Sequence, residues 1–177
     1  MEAGSTTIDC LVLDVDGVLT DGRLWFRGDA EPARAFHTQD GFAIRWYLRL
    51  GGEVILLTGK RSIGVAVRAA ELGIRHVLQG SEDKLADLSG RLATLSISLP
   101  RVAMIGDDLP DLPVLRACGL PIAVANAVED VKAVCGFVTR RSGGQGAVRE
   151  AIEHILRADG RWSRVLEHYG AVGADRA

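Results

Sequence analysis

The chain has 177 residues, 47% hydrophobic and 25% charged, with a formal net charge of −2. That length suits a single domain with a full core. The near-neutral charge leaves no footprint for a nucleic acid or an anionic membrane surface, and no stretch approaches the roughly 18 apolar residues of a membrane span. The opening MEAGSTTIDC lacks the basic-then-apolar pattern of a secretory leader. Cys10, Cys118 and Cys135 are odd in number and have no metal-ligand spacing, which predicts free thiols in a reducing cytoplasm.

In chain order, the apolar runs at 8–15, 53–58, 75–79, 101–106, 121–125 and 136–140 read as strands. Between them, 41–50, 62–72, 82–95, 111–117, 127–134 and 145–158 carry apolar residues at helical spacing. Strands alternating with helices predict an α/β fold, a Rossmann-like parallel sheet covered on both faces. One excursion interrupts the alternation: RLWF (23–26) and ARAFH (33–37) flank RGDAEP and read as a β-hairpin insertion. The whole chain, 1–177, reads as a single domain, and 160–177 as a tail holding a short amphipathic piece (Trp162, Val165, Leu166, Tyr169).

Ligands of open α/β sheets bind beyond the carboxyl ends of the strands, where this sequence concentrates its polar residues. Asp14 and Asp16 end the first predicted strand and Thr58-Gly59 the second. Lys84 opens the helix after the third, and Asp107, Asp108 and Asp111 follow the fourth. Two unit charges about 4 Å apart repel by roughly 4 kcal/mol at an effective dielectric of 20, so converging carboxylates call for a cation. An all-oxygen site with few carboxylates suits Mg²⁺. The expected ligands are Asp14, the backbone carbonyl of Asp16, and Asp107, with Asp108 acting through water or as an orienting group. Asp14 then serves as nucleophile toward phosphorus. Asp16 serves as acid and base, and Thr58, Gly59 and Lys84 hold the phosphoryl oxygens. Gly17 lets the backbone turn sharply after the two acids.

DVDGV, LLTGK, Lys84 in QGSEDK, and GDDLPD together resemble the four motifs of the haloacid dehalogenase-like phosphatases. The resemblance implies the same nucleophile, acid/base and Mg²⁺ roles at Asp14, Asp16, Thr58, Lys84 and Asp107. Spacing narrows the branch: 41 residues separate Asp16 from Thr58 and 25 separate Thr58 from Lys84, and neither gap holds a cap domain. FHTQDG, VRAAELGI, LQGSEDK, GDDLPDLPVL and RSGGQGAVRE are similar to the 3-deoxy-D-manno-octulosonate 8-phosphate phosphatase family over residues 8–169. This implies a phosphorylated eight-carbon keto-deoxy sugar acid as substrate. It also implies a homotetramer whose hairpins meet centrally, with neighbouring subunits closing each site.

The sugar end is less determined. That family usually has Arg directly after the Thr-Gly of motif two, and the related nine-carbon phosphatases have Glu, whereas Lys60 stands here, followed by Arg61. Lys60 with Arg68 is the expected pair for a sugar carboxylate, with solvated helix-surface charges as the other reading. Gly143, Gly144 and Gly146 read either as a flexible lead into a neighbour's site or as the turn before the last helix. Three further functions stay open: a nine-carbon 9-phosphate phosphatase, a phosphoprotein phosphatase, and a phospho-acceptor switch. Gly17-Val18 disfavours the second, because protein-directed relatives carry a DxDxT pattern. Asp16 disfavours the third, because a stable switch would not keep a group that hydrolyses its own phospho-aspartate.

Overall fold

In the computed structural model of the chain, residues 7–171 are described. Six strands form one parallel sheet: β1 (Cys10–Leu13), β2 (Glu53–Thr58), β3 (His76–Gln79), β4 (Val102–Gly106), β5 (Leu120–Ala123) and β6 (Phe137–Val138). Their order is β3-β2-β1-β4-β5-β6. Cys10 to Leu13 pair on one side with Glu53 to Leu56 and on the other with Val102 to Ile105. All of β1 and β4 is buried, as near-continuous apolar strands in a sheet covered on both faces must be. The chain winds outward from β1 to β3, then returns to β4 on β1's other side. The topological switch point therefore falls between β1 and β4, the place such sheets bind ligands.

Seven helices complete the layers: α1 (Thr38–Arg49), α2 (Ile63–Leu72), α3 (Lys84–Leu95), α4 (Leu112–Ala117), α5 (Glu129–Lys132), α6 (Ala147–Ala158) and α7 (Trp162–His168). The starts of α2 and α3 are fixed by Ser62 and Asp83, whose side chains accept from the Val65 and Ala86 amides. Gly73 closes α2 in a left-handed cap. α1 packs against α6 and α2, and α3 against α4. All six predicted strands and all six predicted helices are present, with ends moved by a few residues.

Two segments differ in detail from expectation. The excursion between β1 and α1 is stitched by one antiparallel bridge, Trp25 to Ala33, through hydrogen bonds of 3.2 and 3.0 Å. A longer ladder does not form; Pro32, beside the bridge, has no N–H to give it. In the predicted tail, residues 162–168 are a helix docked on the chain's own core, and 172–177 lie outside the described residues. Trp162 is 3% exposed, with the guanidinium groups of Arg149 and Arg157 at 4.8 and 5.5 Å from its ring.

Burial of that indole makes α7 an integral part of the domain. Trp162→Ala is expected to cost about 3–5 kcal/mol, read as a lower denaturant midpoint at unchanged m-value. A loss well under 1 kcal/mol would mean that α7 only rests on the surface.

Candidate active site

The polar residues at the carboxyl ends of β1, β2 and β4 line one cavity of about 770 Å³. Asp14, Asp16, Thr58, Gly59, Lys60 and Lys84 are in its wall, together with Asp107, Asp108 and Asp111. Asp14 directly follows β1, and its amide donates to the Ile105 carbonyl of β4 at 3.1 Å, so the switch point itself holds it. Lys84, first residue of α3, reaches Asp14 Oδ1 at 2.6 Å and Asp111 Oδ1 at 2.7 Å with 7% of its side chain exposed. Carboxylate oxygens of Asp14, Asp107 and Asp111 lie within 4.8 Å of one another.

The third acid of that cluster is Asp111, which sequence spacing put at this strand end without a role, while Asp108 was expected to act through water or as an orienting group. Asp108 is exposed, and its Oδ1 accepts from the Leu109 amide at 2.8 Å, capping the turn that leads into α4. Asp111 is buried, and its Oδ2 accepts from the Asp107 amide at 3.0 Å, so both of its oxygens are engaged. It orients Lys84 and the loop that carries Asp107. The spacing Asp108-x-x-Asp111 is that of a reciprocal cap, a signal visible in GDDLPD.

Charge balance shows whether a cation fits. Burial, then the Asp111 charge, pushes the Asp14 carboxyl up to about 6, against the opposing pull of Lys84. Burial and the charges of Asp14, Asp111 and Asp108 push Asp107 up to about 7. Lys84 stays protonated, its acids outweighing the cost of burial. One ammonium among three carboxylates leaves negative charge uncompensated, and among the described residues no side chain donates to Asp107. A hard divalent cation fits this donor set, with Asp14 and Asp107 as carboxylate ligands.

The loop after Asp14 is shaped for this approach. Val15–Leu19 forms a kinked turn in which Asp16 (ψ 101°) and Gly17 (φ 108°) leave helical geometry. A Cβ at Gly17 would sit 2.0 Å from Asp107 Oδ2. The buried Thr20 hydroxyl donates to the Val15 carbonyl at 3.2 Å and accepts from the Gly22 amide at 3.2 Å, holding the turn. Behind it, Gly143 packs its backbone directly on Gly17, where a Cβ would lie 1.7 Å from the carbonyl oxygen. Gly144 N–H donates to the Val18 carbonyl at 3.0 Å. In this chain the glycine-rich segment buttresses the loop after Asp14. Neither Thr20 nor Gly143 was singled out by motif spacing as supporting Asp14.

Asp16 faces a different neighbourhood. Arg34, from the excursion, sets Nε 2.6 Å from its Oδ1 and Nη2 3.2 Å from its Oδ2. Lys60 Nζ stands 3.6 Å from Oδ2, with 57% of its side chain exposed. Burial alone would push the Asp16 carboxyl up, but Arg34 and then Lys60 outweigh it and hold it below the usual carboxylate range. Sequence reading missed Arg34, since nothing in ARAFH ties it to a motif eighteen residues upstream. Thr58 is buried at the end of β2, its Oγ1 accepting from the Lys60 amide at 3.3 Å. Arg68, expected beside Lys60, does not reach the cavity. It lies on the side of α2 facing α1, bonded to Glu71 at 2.8 Å and set over the Phe36 ring.

Comparison with known proteins fits this geometry. The family model of the haloacid dehalogenase-like hydrolases matches residues 58–152. The 3-deoxy-D-manno-octulosonate 8-phosphate phosphatase of Escherichia coli (strain K12) is 42% identical over 159 residues, 90% of this chain and 85% of that protein. This chain belongs to the haloacid dehalogenase-like hydrolases. Two solved members of this family superpose closely. A probable YrbI family phosphatase from Pseudomonas syringae pv. phaseolica has a TM-score of 0.91 and 44% identity, over 93% of each chain. The Moraxella catarrhalis 3-deoxy-D-manno-octulosonate 8-phosphate phosphatase was solved with magnesium, phosphate and the sugar acid. It has a TM-score of 0.90 and 39% identity, over 93% of this chain and 94% of that one.

The raised acids of this hydrolase site give a pH signature without metal. Folded Asp14 and Asp107 hold their protons up to about pH 6 and 7, whereas unfolded carboxylates lose theirs near pH 4. The folded state therefore binds more protons across that window, and metal-free stability falls as pH rises through it. Asp16, Glu31 and Glu150 have the opposite sign, but as lowered acids they are already ionised above about pH 5. Between about pH 5 and 8, the melting temperature in chelator should drop, and added Mg²⁺ should stabilise more at the upper end. A metal-free melting temperature that stays flat across this range contradicts the cluster's electrostatics.

Proposed function

We propose that this chain is a Mg²⁺-dependent phosphatase that hydrolyses 3-deoxy-D-manno-octulosonate 8-phosphate through a phosphorylated Asp14. The observation that carries the reading is the Moraxella catarrhalis relative, solved with magnesium, phosphate and that sugar acid on nearly the same backbone. The local chemistry agrees with it. Lys84 binds one oxygen of Asp14 and leaves the other free to attack phosphorus. As the new Asp14–phosphorus bond forms, the bond to the sugar oxygen breaks, and Asp16, ionised in the free site, gives that oxygen the proton it takes from water when the phosphate dianion enters beside it. Asp16 then takes a proton from the water that releases phosphate from Asp14.

In this reading Thr58 Oγ1, the Gly59 amide and Lys84 Nζ hold the phosphoryl oxygens, supported by the presence of all three residues in the cavity wall. When bound, Mg²⁺ neutralises charge developing on the phosphoryl group; Asp14, Asp107 and the Asp16 carbonyl would hold it, with Asp108 acting through water. Lys60, at the cavity wall, is the residue assigned to the sugar carboxylate. Arg68 joins that assignment only if a neighbouring subunit brings another surface to it.

We also propose a homotetramer in a reducing cytoplasm. Trp25 and Phe26, 63% and 73% exposed, support the assembly, since they are large apolar side chains turned outward on a short excursion. Cys10, Cys118 and Cys135 are all free, which suits the compartment. Among the described residues, no helix is long and apolar enough to cross a membrane.

Two experiments follow. Phosphate release with Mg²⁺ should be fastest on the eight-carbon 8-phosphate, slower on nine-carbon 9-phosphates and hexose phosphates, and absent on phosphopeptides. Asp14→Asn should lower turnover by at least about a thousandfold, as loss of a nucleophile does. Turnover of phosphopeptides alone would remove the sugar-acid reading. In light scattering, Trp25→Ser with Phe26→Ser should yield a smaller species than the unmodified chain. An unchanged mass would assign the exposed pair another role.

A further inference from the structure

Arg34 sits where a side chain of a polar excursion has no structural need to be so deeply set. Only 5% of its side chain is exposed, and its fork spans both oxygens of Asp16, at 2.6 and 3.2 Å. A planar guanidinium meeting a carboxylate edge in this way fixes the plane of the acid as well as its place.

The fork is itself held. Arg34 Nη1 donates to the Pro32 carbonyl and to Ser62 Oγ, both at 3.3 Å. Ser62 is the N-cap of α2, and its amide donates to Gln79 Oε1 at the end of β3 at 2.6 Å. Glu31, 3.9 Å from Nη1, accepts from the Ile63 amide at 3.0 Å and from Ser62 Oγ. The clamp on Asp16 is thus referred to the first turn of α2 and the end of β3. Lys60 touches the same carboxylate at 3.6 Å from a side chain 57% in solvent, and fixes little.

We propose that Arg34 is the positioning residue of the acid/base step. It orients the Asp16 carboxyl at the cavity wall so that the edge not taken by the fork faces the departing sugar oxygen. The proposal rests on the reading of Asp16 as acid and base. Arg34 does not touch the phosphoryl group; it acts through Asp16 alone. The proton that Asp16 binds on its open edge when the phosphate dianion enters moves to the sugar oxygen as the ester bond breaks, and Arg34 stays paired with the carboxylate that remains. The competing explanation is that Arg34 only pins the excursion to α2.

Leaving-group dependence separates the two. An alkyl phosphate needs a proton on its departing oxygen, whereas p-nitrophenyl phosphate releases a stable phenolate without one. The quantity to compare is kcat/KM, which reports steps up to departure of the leaving group. In holoenzyme with Mg²⁺, Arg34→Gln should lower kcat/KM for the sugar 8-phosphate at least about tenfold more than for p-nitrophenyl phosphate. Asp16→Asn should show the same selectivity more strongly. In the Asp16→Asn background, Arg34→Gln should cost less than about twofold on the sugar phosphate, because residues acting through one another are non-additive. Arg34→Lys, which keeps the charge without the fork, should fall between the parent and Arg34→Gln, and it decides the question if Arg34→Gln does not fold. Equal losses on both substrates would reduce Arg34 to a structural pin while leaving Asp16 as the acid. An Asp16→Asn variant without leaving-group selectivity would overturn the acid/base reading and the clamp with it.

Discussion

The geometry of this protein depends on three carboxylates held around one ammonium at the switch point of the sheet. Asp14, Asp107 and Asp111 approach within 4.8 Å, with Lys84 between the first and the last. At such separations each unscreened pair costs about 4 kcal/mol at an effective dielectric of 20, so local structure must supply the compensation. β1 and β4 pair directly, which places Asp14 and Asp107 on adjacent strand ends. Gly17 lacks the side chain that would occupy the space of Asp107. Asp111 spends its second oxygen on the amides before it, so its charge is partly consumed by the backbone. The residual demand for positive charge is what makes the site a cation site and then a phosphoryl site, since both ligands answer the same field.

A second constraint separates two acids that are neighbours in sequence. Asp14 lies among like charges and is pushed up, whereas Asp16 lies against Arg34 and is held down. The backbone makes this possible: leaving helical geometry at Asp16 and Gly17 turns the second side chain out of the cluster toward the excursion. Pairs of titratable groups whose surroundings pull them apart can take different chemical roles. Here the division is between Asp14, embedded in the acid cluster, and Asp16 at its edge, which is what the proposed roles of nucleophile and proton carrier require.

Much of this was legible in the sequence because it is local or periodic. Apolar runs bounded by Gly and polar residues gave all six strands, and strand ends then placed Asp14, Thr58, Lys84 and Asp107 in one cavity. What escaped are relations between distant segments. Arg34 meets Asp16 only because the excursion folds back on the start of α2. Gly143 supports the loop after Asp14 across more than a hundred residues of chain. Arg68 read equally as a partner of Lys60 and as a solvated helix-surface charge, and its contacts with Glu71 and Phe36 lie away from the cavity. Asp108 and Asp111 differ for another reason: in GDDLPD they cap one turn reciprocally, and the buried member joins the cluster while the exposed one stays outside it.

The excursion joins the remaining parts of the argument. With no cap domain between the motifs, the cavity of about 770 Å³ opens at a wall that includes Asp16 and Lys60. The same short segment presents Trp25 and Phe26 outward and sends Arg34 and Glu31 inward, with the Trp25–Ala33 bridge between the two ends. Trp25 is linked to Asp16 by that bridge to Ala33 and by Arg34, the next residue. If subunits meet at Trp25 and Phe26, the contact that builds the assembly also fixes the excursion on which the orientation of the acid depends. A capless hydrolase would then gain from its neighbours a settled proton carrier as well as cover for its substrate.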